Sequence, residues 1–285
     1  MRRPSQIEKD SIQITTVEDL TGVFESIAST QVAKVKGKVE LSKQFFQLLW
    51  KRYTSIRIDP NMRITERDLG EGTDKTMFII ISAEAGLSGD IDQRLVESML
   101  QAYDPKTTDI IVLGTHGATQ LRQRGISYIK FFQVPETDRY IDVSPVINSA
   151  KGYTSIIVYY EEYVSLGVQE IKTIDLIASM RKMSEDAEED TMSAEDTIFE
   201  PSLDLIADEM ELTMMTLALS QAILESGLAQ AASRFNAMAV AKKRAGELLG
   251  GYKMEYHRAK RSESDRRLRE VMVSIKKKKQ HARTT

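Results

Sequence analysis

The carboxy-terminal third of the 285-residue chain permits few folds. From Leu203 to about Ile275 there is no proline, and Leu217, Leu224, Ala231, Met238, Ala245, Tyr252 and Ala259 recur at seven-residue steps. A second row, offset by four, runs Gln221, Leu228, Phe235, Lys242, Leu249 and Tyr256, so the two rows form an a/d seam interrupted at Gln221 and Lys242. At about 1.5 Å per residue, a continuous helix of roughly 73 residues is on the order of 110 Å long. That is several times the diameter of a small domain, so the pattern predicts a rod with a partner along its seam.

The amino-terminal segment supplies a candidate partner. Leu20, Val23, Phe24, Ile27, Val35, Val39, Phe46 and Leu49 follow helical spacing, and no proline lies between Pro4 and Pro60. About 30 residues from Glu18 therefore read as one helix, and Gly22 and Gly37 weaken it by about 1 kcal/mol each, which calls for tertiary support. Between the helices the period changes. Short β-branched runs at Thr76–Ile81, Asp109–Leu113 and Ser155–Tyr160 alternate with helical spacing at Gln93–Leu100 and Tyr140–Asn148, with further strand-like runs at Ile126–Val134 and Glu170–Ile177. The expectation is an α/β fold: a long antiparallel helical coiled coil flanking a Rossmann-like, largely parallel α/β domain. Its segments are a helical arm over residues 1–60, the α/β domain over 61–198 with an exposed acidic loop at 184–196, and the long helix with a basic tail over 199–285. Pro201 is suited to start that last helix.

Several function classes drop out. The chain has no cysteine and three scattered histidines, His116, His257 and His281, so a disulfide scaffold, a thiolate site or a metal centre is not expected. No apolar run approaches the roughly 18 residues of a spanning helix, and the stretch after Met1-Arg2-Arg3-Pro4 does not read as a signal peptide. The net charge of −3 hides an acidic stretch at Ser184–Glu200 and a basic one at Lys253–Arg283. Gly86-Leu87-Ser88-Gly89 lacks the Gly-Lys-Ser/Thr of a P-loop and reads as a structural turn. Gly114-Thr115-His116-Gly117 offers a histidine without recognisable catalytic partners and reads as a turn as well. Arg258, Lys260, Arg261, Arg266, Arg267 and Arg269, then Lys276–Lys279, could neutralise phosphates, but stacking aromatics are absent after Tyr256; a helix tip set against an acidic protein surface explains the same residues, and a simply solvated basic end stays open beside it.

Taken together, certain segments resemble one family. Phe199-Glu200-Pro201-Ser202 resembles an aromatic-Glu-Pro lead-in to a last helix, and Gln230 to Met238 is similar to a Ser-Glu-x-x-Ala-Arg-Met-x-Ala-Met pattern. Tyr256-His257-Arg258-Ala259-Lys260 lies over Tyr-Asn-x-Ala-Arg, and Gly86 to Asp92 over Gly-Leu-Cys-Gly-Gly-Phe-Asn. These patterns, in this order, resemble the gamma subunits of F-type ATP synthases. Lys260 to Arg267 departs from the family's Arg-Gln-x-x-Ile-Thr-x-Glu.

The resemblance implies a central rotor shaft of a proton-translocating complex, with no catalytic site, cofactor or metal of its own. It implies contacts with the alpha and beta subunits of the catalytic hexamer through Arg234, Met238, Lys260, Arg261, Arg266, Arg267 and Arg269. Phe199 and Glu200 would meet the c-ring and the epsilon subunit. Leu217, Leu224, Leu228, Ala231, Phe235, Ala245, Leu249, Tyr252 and Tyr256 would form the coiled-coil seam. One copy per complex is implied, peripheral at the cytoplasmic face of a bacterial cell membrane, reaching the membrane only through the c-ring and binding no nucleic acid. The alternatives are a non-rotary coiled-coil scaffold and a small α/β enzyme with a helical oligomerisation tail.

Overall fold

A computed structural model describes residues 2–55, 73–134, 141–177 and 203–281. The elements in order are α1 (Pro4–Ser55), β1 (Thr73–Ile81), α2 (Ile91–Leu100), β2 (Thr108–Leu113), α3 (Thr115–Gln123), β3 (Lys130–Phe132), α4 (Ser144–Ala150), β4 (Tyr153–Tyr163), β5 (Gln169–Asp175) and α5 (Leu203–His281). The acidic loop at 184–196, Phe199, Glu200 and Pro201 lie outside the described residues. Two compact units are formed, one by Ile27–Ala237 and the other by Met1–Ser26 with Met238–Thr285; α1 and α5 contribute to both.

The first unit holds the sheet, ordered β3-β2-β1-β4-β5. β1 pairs in parallel with β2 and β4, β2 with β3, and only β5 runs antiparallel, against β4. Ile79 lies opposite both Ile111 and Val158, so the centre is apolar on either side of β1. Successive side chains of a strand point to opposite faces. Met77, Ile79 and Ile81 accordingly meet Val146 and Ile147 of α4 and Leu219, Ala222 and Ile223 of α5. Phe78 and Ile80 meet Leu95, Val96 and Met99 of α2 and Ala118 and Leu121 of α3. The result is three layers, with α5 serving as a core helix of the sheet. On another side of α5, Leu228 packs with Val35 and Val39 of α1. The helix is therefore buried over most of its circumference here.

That burial explains a departure from the sequence reading. One stretch of α5 is long and apolar enough to cross a membrane by length and composition. A core helix that packs on a sheet and a second helix meets the same criteria, and this one carries Gln221, Glu225 and Ser226.

In the second unit α1 and α5 run antiparallel. Lys242 pairs with Glu25 at 2.9 Å. A Cβ on Gly22 would lie 3.6 Å from Lys242 Cε, and one on Gly246 3.2 Å from Glu18 Oε1, so each glycine faces a long charged side chain of the other helix. Ile7, Met238, Ala245 and Ala259 are buried, Leu249, Tyr252 and Tyr256 half-buried.

Three local expectations are revised. α1 begins at Pro4 rather than near Glu18, because proline suits the first helical turn and Ile7 in the polar lead is fully buried. Leu20, Val23, Phe24 and Ile27 do not face α5: they are 38–56% exposed, while Thr21, Ala28, Val35 and Val39 are buried. The run Ile126–Val134 contracts to the three residues of β3, since its first N–H is spent closing α3, Ile126 N to Leu121 O at 3.0 Å.

Candidate functional site

In an open α/β sheet the chain leaves β1 towards β2 and later returns to the other side of β1. The crevice between the carboxyl ends of the two strands flanking that reversal is where such sheets bind ligands. In this chain it lies between the ends of β1 and β4. Helix α5 fills it.

Ser226 Oγ sits 3.2 Å from Ile81 O at the end of β1 and 3.1 Å from Glu161 Oε2 on β4, and it accepts from Gln230 Nε2 at 2.9 Å. A hydroxyl has a single proton, so it cannot donate to both oxygens. The set closes if Glu161 carries a proton and donates to Ser226, which then donates to Ile81. Glu161 is fully buried, and its carboxyl is pushed well above the usual range, first by burial and then by the nearby Asp92 charge, with Gln230 and Ser226 offsetting part of the effect. Among the described residues, Glu161 Oε1 is a buried side-chain oxygen without a hydrogen-bond partner.

The loop leaving β1 is built around a second carboxylate. Asp92, in the first turn of α2, accepts from Ala83 N at 2.8 Å and Ser88 Oγ at 3.0 Å, and lies 3.3 Å from His116 Nδ1. His116 is thus part of α3's first turn rather than a free turn, and it touches the Gly86 loop: a Cβ on Gly86 would lie 3.1 Å from its Nε2. Gly89 has φ +74°, and its loop neighbour Leu87 also takes positive φ. A phosphate cradle needs main-chain N–H groups aimed at an anion. Here Asp92 has claimed the position.

The loop's carbonyls are claimed as well, by α5. Ser233 Oγ donates to Ser88 O at 2.6 Å, and Arg234 donates to Gly86 O at 3.2 Å and Ala85 O at 3.0 Å. Arg234 also reaches Gln31 Oε1 of α1 at 3.5 Å. Burial lowers the pKa of its guanidinium, partly opposed by Asp92. Behind the loop, Ser82 Oγ accepts from Gly117 N at 2.8 Å, and a Cβ on Gly114, φ +96°, would fall 2.1 Å from Ser82 O. The Gly-x-x-Gly segment is a packing device that lets α3 start against the end of β1.

The sequence-nominated residues are not gathered into one site. Arg234 has intrachain partners, whereas Lys260, Arg261, Arg266, Arg267 and Arg269 are exposed on α5, with Arg267 paired to Glu263 at 2.8 Å and Arg266 to Glu270 at 3.5 Å. Met238 is buried. Of the seam residues in the sheet-bearing unit, Leu228 and Ala231 are buried and Leu217, Leu224 and Phe235 half-buried. Residues to which the sequence reading gave no role carry the crevice: Glu161 and Ser226, with Gln230 and Ser233 from the family-like segment. A signal existed, since Ser226, Gln230 and Ser233 form a polar stripe at helical spacing inside an apolar stretch.

A family model described as ATP synthase matches residues 5–275. The chain is 24% identical over 268 residues to the ATP synthase gamma chain of Clostridium novyi (strain NT), covering 91% of this chain and 92% of that protein. It is 24% identical over 281 residues to that of Chlorobium limicola, covering 91% and 93%. Among solved structures, a chain of the Euglena gracilis mitochondrial ATP synthase OSCP/F1/c-ring assembly in rotational state 3 superposes with TM-score 0.69 at 14% identity over 95% of this chain and 94% of that one. A chain of the Tetrahymena thermophila mitochondrial ATP synthase central stalk and c-ring gives 0.57 at 16% identity over 78% and 99%. The sequence match spans nearly the whole of the chain, and this protein is a distant member of the ATP synthase gamma chain family.

Proposed function

We propose that the chain is the central rotor shaft of a proton-translocating F-type ATP synthase, coupling c-ring rotation to ATP synthesis or hydrolysis at the alpha-beta hexamer. The observation that carries this reading is α5: one unbroken helix built into the core of the sheet-bearing unit and paired with α1 in both units. A shaft needs a stiff member rooted in a broader body, and this helix is both.

Coupling then rests on contact energies that differ between states. A shaft touching one beta subunit differently from the next shifts each one's open-closed equilibrium by no more than the difference in contact free energy. Lys260, Arg261, Arg266, Arg267 and Arg269 suit a moving contact with an acidic wall, because exposed pairs worth about 0.2–1 kcal/mol each form and break without trapping the rotor. The exposed Leu20, Val23 and Phe24 of α1 and Leu268, Val271 and Met272 of α5 add apolar surface to the same contact. Arg234 is assigned elsewhere, to the loop it already holds. Phe199 and Glu200 are assigned to the c-ring and epsilon subunit, which would keep the chain, in one copy, peripheral at the cytoplasmic face of a bacterial membrane.

Co-expression with alpha, beta and epsilon subunits tests the reading. One copy of the chain per three alpha and three beta subunits, with ATP hydrolysis driving proton uptake in c-ring-bearing vesicles, is the expected result. Absence from the purified hexamer would leave a non-rotary scaffold as the function.

A further inference from the structure

If the chain is a shaft, torque must cross from the sheet to the helix. The apolar contacts of α5 with β1 and α4 hold the layers together, but apolar burial is non-directional and by itself selects no single register. The polar stripe is different in kind. Ser233 and Arg234 of one rigid helix donate to main-chain carbonyls of a single loop, Ser88, Gly86 and Ala85, while Ser226, supported by Gln230, engages Ile81 O and Glu161.

The acceptors are as fixed as the donors. The loop is pinned to β1 and α2 by Asp92, which takes Ala83 N and Ser88 Oγ, and the end of β1 is locked to α3 through Ser82 and Gly117. Any slip of α5 along the sheet breaks all of these bonds together. The cost is largest at Ser226, whose partners Ile81 O and Glu161 are buried and would be left unpaired, and smaller at the carbonyls of half-buried Gly86 and exposed Ala85.

We infer that the stripe Ser226, Gln230, Ser233 and Arg234, seated in the crevice where a sheet of this order would otherwise hold a ligand, is the joint that transmits torque between the α/β domain and the long helix, with Arg234 as its principal positioning residue. The inference rests on the rotor reading. It gives Arg234 a role within the rotor and none at the wall of the hexamer.

The test uses the complete complex in proton-tight vesicles, reading protons pumped per ATP hydrolysed. Ser233→Ala with Arg234→Ala removes three hydrogen bonds to the loop and is expected to lower that ratio by roughly fivefold or more, since even one net hydrogen bond is worth about that factor, with subunit stoichiometry and ATP hydrolysis retained. Arg234→Lys, which still donates to carbonyls, is expected to recover part of the ratio. A wild-type ratio in the double variant would overturn the joint.

The cysteine-free chain allows a second measurement. A Cβ on Gly89 would lie 3.9 Å from Ala237 Cβ, within the span of a disulfide. Gly89→Cys carries the strain of a Cβ at φ +74°, so the reduced double-cysteine chain is the reference: oxidation with Ala237→Cys is expected to leave its pumping unchanged and to restore assembly or pumping when Ser233→Ala and Arg234→Ala are added. Pumping lost on oxidation, or no restoration, would mean that the loop and helix must move past each other, and the inference would fall. A wild-type chain that never joins the hexamer would instead remove the rotor reading.

Discussion

Two stretches of the same helix carry opposite kinds of surface. Over residues 214–236, α5 is enclosed by sheet, loop and α1, and its polar groups are matched to fixed partners. Over residues 240–259 it lies on α1 through small residues such as Ala245 and Ala259, and from there to 275 its charges and several large apolar side chains stand in solvent. The first stretch is built to keep one position; the second presents groups whose bonds are short-lived. One helix can do both because its backbone bonds are internal, which leaves the side chains free to change character along its length.

The contrast is most vulnerable where the enclosed stretch is tightest. Gly114→Ala puts a methyl group 2.1 Å from Ser82 O at a φ of +96°. It is expected to destabilise the sheet-bearing unit by roughly 3–5 kcal/mol, read as a shift in the urea midpoint, with little change in helix content at low temperature. A shift no larger than that of Gly250→Ala, an open position, would show that the crevice is looser than described.

The buried acid gives an intermediate effect with a defined sign. Glu161 is raised in the folded state relative to the unfolded chain, so the folded state holds a proton that the unfolded state gives up, and stability falls as pH climbs from the unfolded carboxylate range, about 4.3, towards the raised value. Glu161→Gln supplies an N–H in place of the carboxylic proton and cannot ionise. It is expected to stabilise the chain by on the order of 1–3 kcal/mol at pH 8 and by almost nothing near pH 4, measured by thermal melts across that range. An equal effect at both ends would mean that Glu161 is ionised in the crevice.

The smallest effect compares one ion pair from each stretch. Lys43 meets Glu225 at 2.8 Å and Lys242 meets Glu25 at 2.9 Å; both lysines are about half exposed, but the Glu225 side chain is 6% exposed and that of Glu25 23%. Glu225 also lies beside Tyr160, whose hydroxyl is pushed above its ordinary range first by burial and then by the Glu225 charge. Double-mutant cycles are expected to give about 1–2 kcal/mol for the Lys43 pair and about 0.2–1 kcal/mol, falling with salt, for the Lys242 pair. Equal, salt-sensitive couplings would erase the distinction between the stretches.

Much of the architecture was legible because it depends on periodicity. The heptad rows located α5, and alternating β-branched runs located β1, β2 and β4 to within a few residues. Elements defined by packing were not. α3 was hidden because Gly114 and Gly117, present to let it approach Ser82, look like turn residues in a string of letters. The apolar face of α1 was misassigned at Leu20, Val23 and Phe24, since spacing marks a face without saying what covers it. The crevice stayed out of sight for a different reason. Its acceptors are mostly main-chain carbonyls, which leave no trace in a sequence, so Ser226, Ser233 and Arg234 could not be matched to partners before the loop was placed beside them.

The sheet's two outer strands bear on the life of the chain before it finds any partner. An exposed strand edge invites another chain to extend the sheet, and long flat edges seed aggregation. β3 offers three residues, too few to template much, and β5 carries Glu170 and Lys172, the latter paired with Glu162 at 3.3 Å, so an incoming strand would have to desolvate charge. The two outer strands are thus poor templates for a second copy of the chain.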